Sequence, residues 1–167
     1  MSFDIEVLVI EQKGLVPIPF VSKIEVLNEL EHDIVMRFTD TWKFMSQLKG
    51  IWYSLVKEDD GIKNAFLLCE SDFEIEPEKL PIPLWIDNKD VIYNLTPLII
   101  NKDYISDFEE ILKFLLEQSP INTIMFLAKY QGGDYEIVEG ILPFNDFIIK
   151  LKDRKILFNI CYLVTKN

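Results

Sequence analysis

Hydrophobic and polar positions change rhythm several times along this chain, and each rhythm predicts an element. "DIEVLVIE" (4–11) is β-branched and apolar with two acids set inside it, and predicts a first strand. "GLVPIPF" (14–20) is broken by prolines, which cannot donate to a ladder, so it predicts an edge or a turn. "KIEVLNELEHDIVMRFTD" (23–40) is ambiguous until "DIVMRFT", whose β-branched content favours a strand. Asp40 then reads as the cap of a short helix, "TWKFMSQLK", which Gly50 ends. "IWYSLVKE" and "IKNAFLLCES" flank "DDG", a hairpin turn in which glycine supplies the positive φ. "VIYNLTPLII" (91–100) predicts another strand.

The second half has clearer periodicity. Ser106 with Glu109 forms a capping-box pattern ahead of "FEEILKFLLEQ", whose Phe108, Ile111, Leu112, Leu115 and Leu116 share one helical face. Pro120 closes that helix. "INTIMFLAKY" and "YEIVEGIL" bracket "QGGD", the strongest hairpin signal in the sequence. Pro143 opens a second helix, "PFNDFIIKLKDR", with Phe147, Ile148 and Leu151 on one side, and "KILFNICYLVT" predicts a final strand. Together these elements predict a single α+β domain over residues 1–167, with a mainly antiparallel sheet built from hairpins and two to three helices. Helix, strand, tight turn and strand recur at 40–70 and 106–142, which suggests a duplicated αββ unit.

Composition supports a packed domain. A chain of 167 residues can bury roughly 70% of its unfolded surface. Its 12 Phe, 6 Tyr and 3 Trp set disorder aside. No apolar run approaches the length of a membrane span, and no leader with a cleavage site opens the chain, so a cytoplasmic protein without a membrane partner is expected. Cys69 and Cys161 sit in apolar, strand-like runs and read as small buried hydrophobes, not as a disulfide.

Charge changes the picture more. The net charge is −11, from 28 acids and 17 bases. Residues 1–100 hold 18 acids against 9 bases, and residues 101–167 hold 10 against 8. Such a field repels nucleic acid and anionic membrane, and speeds association with cationic partners. Arginine is scarce (Arg37 and Arg154) beside abundant lysine and isoleucine, the bias of an AT-rich bacterial genome.

Candidate chemistry is sparse. His32 is the only histidine, and Glu31 and Asp33 beside it favour its protonated form, which does not suit a base that activates a nucleophile. One histidine and two well-separated cysteines do not assemble a zinc site of the common kind. "EDDGIKNAFLLCE" fails the calcium-loop pattern, because Lys63 and Ala65 stand where oxygen donors belong. "YQGGDY" has no lysine after its glycines and matches no phosphate-cradling loop. "KLKDRK" (150–155) is the one basic cluster, placed to complement the end of a helix dipole. No catalytic residue, metal or cofactor is assigned.

What stands out is "SDFEIEPEKLPIPLWIDNKD" (71–90). On a strand, Asp72, Glu74 and Glu76 share one face about 7 Å apart, with Phe73 and Ile75 turned inward. Two like charges at that distance in water repel by only about 0.6 kcal/mol, so an edge strand tolerates them and they discourage aggregation. They also form, with Glu78, Asp87 and Asp90 around Trp85, a surface that can substitute for a phosphate backbone and engage a basic protein.

A small, acidic, one-domain α+β chain without a catalytic signature, ending in "EIVEGILPFNDFIIKLKDRKILFNICYLVTKN", resembles the immunity proteins of bacterial polymorphic toxin systems. The resemblance is one of overall type. It implies stoichiometric binding to a cognate toxin domain, often a nuclease, and occlusion of its active site. The expected function is thus a protein-binding inhibitor with Asp72, Glu74, Glu76, Glu78, Trp85, Asp87 and Asp90 as contact residues. The alternatives are a structural or adaptor protein acting as a homo-oligomer, and an enzyme without a recognisable motif.

Overall fold

The computed structural model describes residues 3–28, 48–59, 65–68, 96–130 and 138–167. The helix expected over "TWKFMSQLK" lies almost wholly outside these residues. So do the strand expected over "DIVMRFT", His32, Cys69 and the turns at 60–61 and 131–134.

Six strands form one mixed sheet: β1 (Phe3–Ile10), β2 (Glu25–Asn28), β3 (Gly50–Val56), β4 (Thr123–Tyr130), β5 (Val138–Pro143) and β6 (Cys161–Thr165). Their order is β2-β3-β1-β4-β6-β5. Two helices, α1 (Ile105–Gln118) and α2 (Phe144–Lys152), complete the regular elements among the described residues. The chain is therefore α+β, and four of the five strand pairings are antiparallel. The fifth, β5 with β6, is parallel.

That parallel pair corrects the expected hairpin at "QGGD". β4 and β5 are not neighbours, because β6 lies between them. The reason is in their side chains. Cys161, Tyr162 and Val164 of β6 are buried, which suits an inner strand. β5 carries exposed Gly140, Ile141 and Pro143 and a register shift between Glu139 and Leu142, which suits an edge. A glycine-rich turn signal says that the chain bends; it does not say which strand receives it.

The "DDG" turn is also only part of the story. The chain does return towards β3, since the Ala65 N–H donates to the Lys57 carbonyl at 2.9 Å. Residues 66–68 then leave, with Leu67 bridging Ile100 and Leu68 N–H bonding the Ile99 carbonyl at 3.0 Å. Within the expected strand at 91–100, the described residues 96–100 stay out of the sheet. Leu98 N–H reaches the Ile156 carbonyl and Phe158 N–H the Thr96 carbonyl, each at 2.7 Å. Three short segments, 66–68, 96–101 and 156–158, thus form a ribbon apart from the sheet. None of the antiparallel sheet pairs is closed by a tight turn, so the expectation of a sheet built from hairpins does not hold for these strands.

β1 is the central strand, and its alternation divides the core. Ile5, Val7 and Val9 face the helices, where they join Tyr53, Leu55, Phe126, Tyr162 and the buried face of α1. Leu8 and Ile10 face the other way, with Trp52, Met125, Leu127 and Cys161. The α1 face is the one its period predicts: Phe108, Ile111, Leu112, Leu115 and Leu116 are buried. Its start differs. α1 begins at Ile105 with no side-chain cap, so Ser106 lies inside the first turn and no capping box forms. Lys23 supplies the tie, its N–H donating to the Asp107 carboxylate at 2.7 Å. Gly50 opens β3. Its φ of 150° and the Val9 carbonyl, which any Cβ there would strike, require glycine.

Candidate functional site

All seven expected contact residues (Asp72, Glu74, Glu76, Glu78, Trp85, Asp87 and Asp90) lie outside the described residues. The described part of the molecule offers a different site. A groove of about 530 Å³ opens where the ribbon, the start of α1 and the end of α2 meet. Leu68, Ile99, Ile100, Ile105 and Leu151 line it, together with Asn101, Lys102, Lys152 and Arg154. Among the described residues no acidic side chain lines it, although the chain holds 28 acids and 17 bases.

Each cation is placed by local structure. Asn101 accepts the Asp103 N–H at 3.0 Å and its carbonyl accepts the Tyr104 N–H at 2.9 Å, a turn that holds Lys102 just ahead of α1. Lys152 ends α2, where a cation complements the helix dipole, and its ammonium meets the Glu109 carboxylate at 3.1 Å. Glu109, expected to cap its own helix, instead reaches across to α2.

Arg154 sits just beyond α2 with φ 59°. The Arg154 N–H bonds the Leu151 carbonyl at 3.1 Å and the Lys155 N–H bonds the Lys150 carbonyl at 2.8 Å. This is the paired closure of a Schellman motif, whose left-handed position is usually glycine. An arginine there costs about 1 kcal/mol relative to glycine. It also brings a guanidinium to the groove.

Elsewhere, Cys161 and Tyr162 are buried at the start of β6. Burial pushes the Cys161 thiol far above its ordinary range. The same desolvation raises the Tyr162 phenol, partly offset by the Leu157 N–H, which donates to its oxygen at 2.9 Å. Neither is a nucleophile at neutral pH. On β1, Asp4 and Glu6 are buried, and the Ser54 hydroxyl donates to Glu6 Oε1 over a long 3.4 Å. Among the described residues no group of three His, Cys, Asp or Glu side chains could hold a metal ion, and no helix is long and apolar enough to cross a membrane.

The sequence shows the basic run "KLKDRK" but assigns it only to a helix end. The groove needs Lys102 and Ile105 beside Leu151 and Arg154, roughly fifty residues away, and no local pattern encodes that meeting. Compared with known proteins, the chain matches no family model, no curated protein and no solved structure.

Proposed function

We propose that this chain is a binding protein without catalysis of its own, which holds a basic protein partner through the acidic stretch at 72–90. In the form the resemblance implies, the partner is a toxin domain whose active site the chain covers. The observation that carries this reading is the charge distribution. Of the net −11, residues 1–100 contribute most, and Asp72, Glu74, Glu76, Glu78, Asp87 and Asp90 are offset within 71–90 by Lys79 and Lys89 alone. Carboxylates at this density steer a cationic surface during encounter, and Trp85 supplies an aromatic anchor of the kind that slows dissociation.

The test begins with tagged capture from a native lysate, washed at low and then high salt, with the bound protein identified by mass spectrometry. A stoichiometric basic partner is expected. Replacing Asp72, Glu74 and Glu76 with Ser should leave the melting temperature unchanged and slow association with that partner by about tenfold at low salt. Association that is equally fast in the triple variant would remove the acidic stretch from the account. Capture of nothing at either salt would leave it as protection of a strand edge.

A further inference from the structure

Large apolar side chains exposed singly are ordinary on a protein surface, but at the C-terminal end of α1 they gather. Seven stand in solvent among the described residues, and three of them, Leu15, Val16 and Ile121, come from two segments that meet there. A second groove, of about 340 Å³, lies between those segments, with Val16 on one wall and Gln118 and Pro120 on the other. The walls are fixed from below. The buried Gln12 side chain donates to the Gly14 carbonyl and accepts the Tyr53 hydroxyl, both at 2.9 Å. Across the groove, the Ser119 hydroxyl donates to the Ile10 carbonyl at 2.7 Å. Pro17 also disfavours helical backbone at Val16. Leu15, Val16 and Ile121 are thus presented on a rigid frame, and a preorganised surface loses little entropy when it is covered.

Charge says what covers it. The rim carries one acid and one base, Glu11 and Lys13. Among the described residues neither side chain meets an opposite charge or a hydrogen-bond partner. The chain as a whole stands at −11, so two copies repel wherever their acids face each other. At this end of the sheet the balance differs. On the described segments that converge there, Glu11 and Glu117 stand with Lys13, Lys49 and Lys166. A two-fold axis between two such grooves sets Glu11 of each copy against Lys13 of the other, so the patch complements itself.

We infer that two copies of this chain pair through this surface as an isologous dimer. Leu15 and Ile121 of each copy close over Val16 and Pro120 of the other, and Glu11 and Lys13 pair across the axis. The surface is apolar at its centre and neutral at its rim, so it gives no steering to the proposed basic partner, and the pairing is tested without that partner.

The test is sedimentation equilibrium of the full chain over a range of concentrations, where a monomer–dimer equilibrium is expected. Leu15→Glu with Ile121→Glu should give a monomer throughout. Its melting temperature at low concentration should match that of the unaltered chain, because both side chains are exposed. Glu11→Lys and Lys13→Glu, each alone, set like charges across the axis and should weaken pairing about tenfold. An equimolar mixture of those two variants restores both crossed pairs and should dimerise as the unaltered chain does. Unspecific apolar association would show no such rescue. Three results would overturn the inference. The first is a chain that stays monomeric at every concentration, which would leave the patch to a different protein. The others are association that survives Leu15→Glu with Ile121→Glu, and a mixture that pairs no better than either variant alone.

Discussion

On the helix side of the sheet, five rings run in an unbroken row: Phe66 of the ribbon, Phe108 of α1, Phe126 of β4, Phe147 of α2 and Tyr162 of β6. Successive centroids are 6.2, 5.9, 5.1 and 6.0 Å apart. On the opposite face, the same central strand that gives Ile5, Val7 and Val9 to that row sets Asp4 and Glu6 beside Leu8 and Ile10. Both faces are buried, but they solve different problems. The aromatic side gains from burial and from edge-to-face ring contacts worth about 0.5–1.5 kcal/mol each. The other side must keep carboxylates and a serine satisfied away from water, so it fixes register more than it adds stability. Glu6 opposite Ser54 and Asp4 opposite Lys129 are pairings that a one-residue slip of β1 would destroy.

The largest expected effect comes from breaking the aromatic row at its centre. Phe126 touches both Phe108 and Phe147, and Phe126→Ala should cost about 3–5 kcal/mol in denaturant unfolding. A loss below about 2 kcal/mol would mean that the row is incidental. Tyr162→Phe keeps the ring but strands the Leu157 N–H, and should cost about 1–3 kcal/mol. No measurable loss would show that another acceptor serves that amide.

A pH series sharpens the contrast from a different side. Cys161 and Tyr162 are both held protonated by burial, so the folded state binds their protons more tightly than the unfolded chain does. That stability is fully present at neutral pH and is lost as pH rises above about 9, by up to about 1.4 kcal/mol per pH unit for each group. Cys161→Ala with Tyr162→Phe should flatten the alkaline limb of a melting-temperature profile, and an unchanged limb would refute the assignment. Smallest of all, Ser54→Ala should cost about 1 kcal/mol or less, because its bond to Glu6 is long. A cost above that of Tyr162→Phe would reverse the ranking of the two faces.

The comparison also explains what could be seen in advance. Period alone identified β1, β3, β4 and both helices, because apolar spacing records which side chains must be covered. It also assigned the buried face of α1 residue by residue. The same alternation, "DIEV", places Asp4 and Glu6 on the face of Leu8 and Ile10, where a surface strand would show them to solvent, yet both are buried.

What the sequence by itself determined is the local part of this protein: where β1, β3, β4, β6 and the two described helices lie, which face of each of those helices is apolar, and an excess of acids over bases. The tertiary structure alone decided the rest. It put β6 between β4 and β5, drew 96–101 out of the sheet into a ribbon, and brought Lys102 to Arg154 around a shared aliphatic floor. Periodicity reports the cover each element needs but not which distant segment supplies it. That choice is made by the summed burial of segments far apart in the chain, which no local window contains.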